Sequence, residues 1–586
     1  MTPAATVQTL GAGFLLHEVD PATLPTPERL TDEHRMLRET TRRFVEAECL
    51  PRMEELERLN PALLRELLGK LGELGLCMID IPEEYGGLGL DLLSSIQPVE
   101  ILNRAGGFQV THSVQTVIGV LPILYFGGEA LKRRYLPKIA TAELVTAYAL
   151  TEPGSGSDAL AARTTAVLTP DGGHWILNGS KQFITNGGLA DLFIVFAQVN
   201  GREFSAFVVE RGTPGFLVGA EEHKMGIRSS STTTLSFTDA RVPRENLIGE
   251  VGWGARIALN VLNVGRLKLG AAALGGAKEA LETAVHYGLE RRQFGRPIVE
   301  FGMIREKIAE MAARIYAGES TMVRTTGSVD AAIRAARAEA GVDPARAMME
   351  ALREFNVECA IEKVHGSEIQ AYCCDEAVQI HGGYGFIEEY TVARLYRDAR
   401  ITRLYEGTNE INRMQIAGDV VKRLQQGTLP IGEPAGNGGA FGPLADVARR
   451  ARDAKAALAR LLQAVNAGRA GAVDKRGPNQ EILPRLADII IGVYGMESAM
   501  GRAVQARQAG HELADLFETM TRIYATHAER LIHRSAGEAV QFLGEGGAAG
   551  GEAEAVERLT LPAPRDVIRL RRRVAEAVIA REGIWF

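Results

Sequence analysis

The hydrophobic pattern of this 586-residue chain changes period twice, and this constrains the fold more than any other sequence feature. Up to about residue 145, and again from residue 254, apolar residues recur at the three- and four-residue spacing of helices. Between these parts they alternate at the two-residue spacing of strands. The alternating stretch is too long for an insertion in a helical domain. The pattern therefore predicts a multidomain, mainly helical protein with a central β domain.

Turn and linker residues predict five segments. They are an N-terminal helical domain (28–145), an antiparallel, barrel-like middle β domain (146–250), a four-helix bundle (254–425), a Gly/Pro linker (426–443) and a helical C-terminal extension (444–586). The bundle helices are expected at 254–290, 300–325, 345–380 and 408–424. The extension contains no cluster of His, Asp or Cys residues that suggests chemistry, so a docking or oligomerisation role is favoured there.

Two Asn-Gly pairs in the β domain predict tight hairpins. Asn178-Gly179 separates two short alternating runs, and Asn200-Gly201 separates two longer ones. Asn and Gly tolerate the positive φ angles that such turns require.

Composition excludes several functional classes. The chain has 73 acidic and 66 basic residues, which argues against a protein dedicated to nucleic acid. Its five cysteines lack metal-ligand spacing and indicate a reducing compartment, so we predict no metal site and a cytoplasmic location. We find no targeting segment and no uninterrupted apolar stretch of about 18 residues. The basic helix at 565–586 could contact a membrane peripherally, but packing on the protein's own core is favoured.

Two neighbouring stretches of the β domain are candidates for ligand binding. Tyr148–Asp158 joins a strand-like run to a Gly/Ser turn, whose N–H and hydroxyl groups suit a phosphate or a ring carbonyl. It lacks the glycine patterns of dinucleotide folds and P-loops. Phe183 and Thr185 place an aromatic ring and a hydroxyl on one face of a strand. An ordinary loop and an ordinary strand are the alternatives.

A single acid, Glu406, lies between two helical segments in the sequence Tyr405-Glu-Gly-Thr408. Thr408 is placed to cap the second helix, and Glu410 falls in its first turn. A pivot of this kind can direct a base into a cavity. From these residues alone, a surface glutamate at a helix break is the commoner interpretation.

Several motifs resemble those of acyl-CoA dehydrogenases and follow the same order. They are Tyr148–Asp158, Phe183–Gly187, Met225–Arg228 with Val242–Asn246, Glu290–Gly295, Gln379–Gly385 and Tyr405–Thr408. Each motif would be weak alone, but their order makes the match specific. The extension, together with Leu262–Arg266 and Phe301–Lys307, is similar to the very-long-chain branch of that family.

The resemblance implies that the chain binds FAD and an acyl-CoA substrate. FAD would be contacted by Tyr148, Leu150, Thr151, Ser157, Phe183, Ile184, Thr185, Thr408 and Glu410. Arg291, Phe294, Gln379 and Gly383 would reach the FAD of a neighbouring subunit, which implies a homodimer or homotetramer. Substrate would be contacted by Ser157, Asn263, Arg266 and Gly407. The family usually has Trp where this chain has Phe183, which keeps the aromatic contact but lacks the N–H donor.

Glu406 matches the catalytic base of the family. It would remove the α-proton of the thioester, and a hydride would leave Cβ for FAD. Its backbone N–H would help to stabilise the thioester oxygen, and exclusion of water by the fatty chain would make the carboxylate a stronger base. Some relatives carry the base where this chain has Gly265, which cannot act as one.

The implied activity is α,β-dehydrogenation of a fatty acyl-CoA, with a long chain favoured, to the trans-2-enoyl-CoA in fatty acid β-oxidation. Electrons would pass to an electron-transferring flavoprotein. One alternative is an acyl-CoA oxidase or a nitroalkane-type oxidase that uses oxygen. Another is a non-catalytic assembly or scaffold relative, although the retained Glu406 and flavin residues argue against it.

Overall fold

The computed structural model describes residues 10–338, 343–432, 434, 441–471, 477–544 and 550–583. The chain divides into two compact units. The sheet unit comprises Thr31–Gly275 and Ala335–Arg353. The bundle unit comprises Met1–Leu30, Gly276–Arg334 and Glu354–Phe586.

The sheet unit begins with short helices. They are α1 (Asp32–Phe44), α2 (Met53–Glu57), α3 (Pro61–Glu73), α4 (Leu92–Leu102), α5 (Phe108–Ser113), α6 (Leu121–Phe126) and α7 (Glu129–Ala140). Helix α1 starts after Thr31, whose hydroxyl accepts from the His34 N–H while the His34 ring accepts from the Thr31 N–H. Leu64 and Leu67 of α3 are buried in one apolar cluster with Phe193 and Val195 of the sheet. Burial of this shared core ties the helices to the sheet.

The strands form one sheet of eight. They are β1 (Thr146–Ala149), β2 (Thr165–Leu168), β3 (His174–Thr185), β4 (Leu192–Val199), β5 (Glu203–Glu210), β6 (Phe216–Glu221), β7 (Thr232–Pro243) and β8 (Leu247–Ile248). Their order is β6-β7-β3-β2-β4-β5-β8, with β1 also beside β4. The prediction of an antiparallel sheet is wrong at β4, which pairs in parallel with both β1 and β2. Neither β1 nor β2 is joined to β4 by a hairpin. The chain enters β4 from β3 through a loop, so β4 can run parallel to both neighbours. A barrel-like shape stays a prediction.

One predicted hairpin forms and the other does not. Asn200 and Gly201 connect β4 to β5 with positive φ angles, as expected. Asn178 and Gly179 instead lie inside the continuous strand β3, at a bulge in its pairing with β7. The Asn178 side chain exchanges two hydrogen bonds with Asp239 of β7. The prediction was wrong because pairing with a strand distant in sequence outweighed the local turn preference.

Further helices follow the sheet. They are α8 (Gly254–Glu290), α9 (Gly302–Arg337), α10 (Pro344–Glu354), α11 (Asn356–His381), α12 (Thr391–Ile401) and α13 (Asn409–Gln425), with the small hairpin β9 (Arg292–Gln293) and β10 (Arg296–Pro297) after α8. The single helix predicted for 345–380 is broken at Phe355, which has φ −90° and ψ 23°. Within the bundle unit, polar contacts join Lys278 to Glu319 and Thr325 to Glu362, and so link α8, α9 and α11.

The extension contains α14 (Ala445–Asn466), α15 (Ile482–Gln508), α16 (Ala514–Gly544), α17 (Gly550–Thr560) and α18 (Val567–Ala580). It holds residues 10–30 through Arg502, a fully buried guanidinium that pairs with Glu28 and with Glu319 of α9. In the predicted linker, residues 433 and 435–440 lie outside the described residues. In α18, Val574 and Val578 are buried, which fits packing on the protein.

Among the described helices, only α8 is long and apolar enough to span a membrane. Its most apolar 18-residue window has a mean hydropathy of 1.3, and 83% of that window is buried inside the protein. This degree of burial is typical of a core helix.

Two carboxyl groups are buried one turn apart on α11. Glu358 accepts from the Ala12 N–H, and Glu362 accepts from the hydroxyls of Thr321 and Thr325. Burial raises the pKa of Glu358 to about 7 and that of Glu362 to about 8. The folded protein therefore keeps protons on these groups at pH values where the unfolded chain has released them.

We expect Glu362→Gln to reduce the pH dependence of stability. Wild-type stability should fall as the pH rises from about 5 to 8, by up to about 1.4 kcal/mol per pH unit for one proton, because the folded state binds more protons than the unfolded state. The variant should lose less of its melting temperature over this range in thermal scans. Glu368→Gln, a half-exposed position on the same helix, is the control. Equal slopes in wild type and Glu362→Gln would contradict the assignment.

Candidate active site

The loop after β1 is fixed to β3 by a buried ion pair. The Lys181 ammonium, which is fully buried, lies 2.7 Å from a carboxylate oxygen of Glu152 and 3.2 Å from the Leu150 carbonyl oxygen. Glu152 also accepts from the N–H groups of Arg163 and Thr164. Burial lowers the pKa of Lys181 to about 8. The pair therefore fixes the start of the Tyr148–Asp158 loop against the strand that carries Phe183.

Phe183 is displayed at a bulge in β3. Its φ is 59°, and 60% of the residue is exposed, although the pairing with β7 continues on both sides. Such a backbone angle is a strained exception for a bulky residue and is often associated with a functional site. Ile184 is buried behind it. The exposed aromatic ring is therefore available to a planar ligand.

Three hydroxyl groups that are predicted to contact FAD belong to the same unit as Phe183. The side-chain hydroxyls of Thr151, Ser157 and Thr185 make no hydrogen bond to any residue that the structure describes. Tyr148 is buried, with its ring against Phe196. An exposed aromatic side chain with three available hydroxyls in the same unit matches the needs of a flat, polar ring system.

In the bundle unit, Glu406 lies in a short connection between α12 and α13. Glu406 and Gly407 both have positive φ angles, 55° and 79°. The fully buried Asn412 amide lies within 2.9 to 3.4 Å of the carbonyl oxygens of Glu406, Gly407 and Thr408. The predicted pivot is therefore held in a strained backbone conformation by a side chain that the sequence reasoning did not select.

The start of α13 fixes the other end of the pivot. The Thr408 hydroxyl accepts from the Ile411 N–H, so the predicted cap is confirmed. The Glu410 N–H, with help from the Thr408 hydroxyl, lowers the pKa of the Glu410 carboxyl. The buried Lys363 ammonium lies 2.7 Å from Asn409 Oδ1. These contacts leave little freedom to the connection that carries Glu406.

The residues predicted to reach a neighbouring subunit are on the surface of the bundle unit. Phe294 and Gly295 form the two-residue turn between β9 and β10, both with positive φ, and Phe294 is 94% exposed. Arg291 lies 5.3 Å from the Tyr384 ring. One surface cavity of about 720 Å³ is lined by Arg291, Phe294, Gly383 and Tyr384. Gln379 is exposed near the end of α11.

The predicted substrate residues of α8 have protein partners. Asn263 and Arg266 are both buried, and Arg266 donates to Asn263 Oδ1 at 3.0 Å. Asn263 in turn donates to the Leu352 carbonyl oxygen. Their contact with substrate stays a prediction. The structure also shows Gly265 inside the helix, between them.

Comparison with known proteins identifies the family. Models of the acyl-CoA dehydrogenase N-terminal, middle and C-terminal domains match residues 31–143, 147–240 and 252–421, and a further C-terminal domain model matches 470–550. The chain is 43% identical to a probable acyl-CoA dehydrogenase of Bacillus subtilis (strain 168), over 99% of each chain. The chain belongs to the acyl-CoA dehydrogenase family.

Two further relatives extend this result. A crystal structure of an acyl-CoA dehydrogenase complexed with FAD from Bacillus anthracis matches with a TM-score of 0.93 at 40% identity, over 98% of this chain and 100% of that chain. The human mitochondrial very long-chain specific acyl-CoA dehydrogenase is 36% identical over 76% of this chain and 70% of its own length. As a member of the family, the chain is an FAD-dependent oxidoreductase.

The sequence motifs do not include the residues that position the site. No motif assigns a ligand contact to Glu152, Lys181 or Asn412. These residues nevertheless fix the loop, the strand and the connection that carries Glu406. The sequence shows a lysine two residues before Phe183, but it does not indicate that this lysine is buried, because an isolated lysine is nearly always exposed.

We expect Lys181→Met to weaken FAD binding and to lower stability. Removing the ammonium leaves the buried Glu152 carboxylate without its counterion, which typically costs about 3–5 kcal/mol. The purified variant should show a lower ratio of flavin to protein absorbance and a lower melting temperature. Lys138→Met, at an exposed lysine of the same unit, is the control. A fully flavinated Lys181→Met variant that melts like wild type would contradict the positioning role.

Proposed function

We propose that the protein converts a long-chain fatty acyl-CoA thioester to the trans-2-enoyl-CoA and passes the electrons to an electron-transferring flavoprotein. The observation that carries this proposal is the single carboxylate of Glu406, held between α12 and α13 at a positive φ. A protein that used this connection only as a surface loop would gain nothing from the strain.

The donor set of the sheet unit fits FAD. The Phe183 ring provides a surface for the flavin, and Thr151, Thr185 and Ser157 supply hydroxyls that have no partner among the described residues. We propose that Tyr148, Leu150 and Ile184 shape the same binding surface. Bound FAD supplies the acceptor for the hydride that leaves Cβ of the substrate.

Glu406 acts as the base in this proposal. Its carboxylate takes the proton from Cα, and the Cα–H electron pair forms the new double bond as the hydride leaves Cβ. Asn412 binds the carbonyl groups on both sides of Gly407, so it acts as a positioning residue for the base. Thr408 and Glu410 hold the first turn of α13 in support of this geometry.

Three features support a long acyl chain. One is the similarity to the human relative that is named very long-chain specific. Another is the helical extension after the family's core. The third is Gly265, a residue without a side chain in α8 between the predicted substrate residues Asn263 and Arg266. Electron transfer to a flavoprotein is the pathway that the family resemblance implies.

Glu406→Gln tests the catalytic role. The variant should retain FAD, but anaerobic addition of acyl-CoA should no longer bleach the flavin at the wild-type rate, and the rate should fall by at least about 100-fold. Titration of wild type with acyl-CoAs from four to eighteen carbons reports the preferred chain length.

The control is Glu389→Gln, at an exposed acid before α12, which should bleach like wild type. Normal bleaching of Glu406→Gln would show that another group is the base. Rapid peroxide formation by the wild type in air would favour the oxidase alternative. A colourless protein that is inactive on every acyl-CoA would favour the scaffold alternative.

We also propose that the bundle unit binds a second copy of the chain through the surface around Phe294. Phe294, Phe386 and Met303 are strongly exposed apolar residues of this unit. Exposed apolar groups of this kind mark interaction sites. In this proposal, Arg291, Phe294, Gln379 and Gly383 contact the FAD of the second copy.

Phe294→Ser should shift the oligomer toward smaller species and increase flavin loss on dilution, because it removes an exposed aromatic anchor. Sedimentation velocity and flavin absorbance measure both effects. Leu217→Ser, at an exposed apolar residue of the sheet unit, should change neither. An unchanged oligomer in Phe294→Ser would contradict the proposed interface.

A cytoplasmic location stays a prediction. All five cysteines are within the described residues and are buried, and the part of the chain that the structure describes contains no disulfide.

The contacts of α18 favour packing on the protein and not on a membrane: Arg571 of this helix pairs with Glu306 and Glu310 of α9.

A further inference from the structure

A second cavity in the bundle unit lies between core helices and extension helices. Its volume is about 420 Å³, within the range of small-molecule sites. It is lined from the core by residues of α9 and α11 and from the extension by residues of α16 and α18. The lining includes Glu306, Lys307, Glu310, Arg314, Tyr372, Glu376, Thr526, His527, Arg530 and Arg571. None of these residues has a role in the proposed dehydrogenation.

The acidic groups of this cavity already have cations. Arg571 pairs with both Glu306 and Glu310, and Lys307 pairs with Glu376. These contacts account for every carboxylate in the lining. Because these acids are neutralised, this part of the cavity does not attract an anionic ligand.

Two other cations of the lining, Arg314 and Arg530, lack close partners of this kind. Among the described residues, Arg314 pairs only with the Glu310 carboxylate, at 3.8 Å, and Arg571 lies closer to that carboxylate. The Arg314 Nε is buried and donates to no atom among the described residues. Arg530 is exposed and forms no ion pair within the described part of the chain. Arg314 is largely buried, and burying a guanidinium without a close anion is costly, so the surroundings of Arg314 attract negative charge.

His527 adds a neutral donor to these cations. An Arg314 N–H donates to its Nδ1 at 3.2 Å, which places the ring proton on Nε2. Burial, followed by the charges of Arg314 and the neighbouring cations, lowers the pKa of His527 to about 3. The ring therefore stays neutral at physiological pH and offers one N–H. The Arg314 guanidinium is also stacked 3.9 Å from the Tyr372 ring, which fixes its plane.

We propose that this cavity binds a phosphate-bearing small molecule, whose phosphate group contacts Arg314, Arg530 and His527 Nε2. Guanidinium groups form paired hydrogen bonds with phosphate oxygens, and a dianion matches two cations that lack full partners. The cavity is larger than a phosphate ion, so it has room for an organic part near the neutralised Glu306 and Glu376.

The ligand would connect the core to the extension. Arg314 belongs to α9 of the core, whereas His527 and Arg530 belong to α16 of the extension. A phosphate group bound by all three adds a bridge between these helices and slows their local opening. The proposal gives the extension a ligand-binding role that is independent of the dehydrogenation chemistry.

Inorganic phosphate is the probe for this proposal. The full-length, FAD-loaded protein is titrated with sodium phosphate, with sodium chloride of equal ionic strength and with sodium acetate. Thermal scans give the affinity, and hydrogen exchange gives the location. We expect phosphate to raise the melting temperature more than chloride or acetate, and to slow amide exchange in α16 and α9.

Arg530→Gln should weaken the phosphate effect at least about tenfold, since it removes one of two cations. Arg530 is exposed and unpaired among the described residues, so this variant should fold normally. Arg534→Gln, one turn further along α16 and outside the cavity lining, should retain the effect.

Three results would overturn the proposal. The first is a phosphate effect no larger than that of chloride. The second is an acetate effect equal to that of phosphate, which would indicate a carboxylate site. The third is an equal phosphate effect in wild type and Arg530→Gln, or slowed exchange confined to other helices, which would place phosphate elsewhere.

Discussion

The compensation of buried charge is the constraint on which both units depend. In the sheet unit, Lys181 and Glu152 are removed from water together, and the pair joins a loop to a strand. In the bundle unit, the fully buried Arg502 is neutralised by Glu28 and Glu319. An ion pair of this kind adds little net stability over apolar residues, but removal of one partner is costly. These pairs therefore fix which segments must lie together, and they position the loop that carries the predicted flavin contacts.

Three of the predicted site residues have a strained backbone conformation. Phe183, Phe294 and Glu406 all have positive φ angles although none is glycine. Each is held there by its surroundings: a strand bulge, a two-residue turn and the Asn412 amide, respectively. Strain that persists in this way is usually retained because a side chain must point in a particular direction. The groups displayed in this way are two aromatic rings and one carboxylate.

The extension has two levels of organisation. Its helices bury an apolar interior of their own, and Arg502 of α15 and Arg571 of α18 reach acidic groups of α9. The cavity at Arg314 and His527 lies in this same region, where the pairing of charges is incomplete. A region that is held together by ion pairs and also contains incompletely paired cations is suited to bind an anion.

The sequence by itself determined the order of helical and β segments, because periodicity reports which side chains are buried in each element. It also determined the family and the candidate residues, since ordered motifs such as Tyr405–Thr408 carry chemistry that does not depend on knowing the fold. Tertiary structure decided the rest. Asn178-Gly179 became a bulge and not a turn because β7 pairs on both sides of it. The parallel neighbours of β4, the break at Phe355 and the burial of Lys181 follow from contacts between residues far apart in the chain, which local preferences cannot specify.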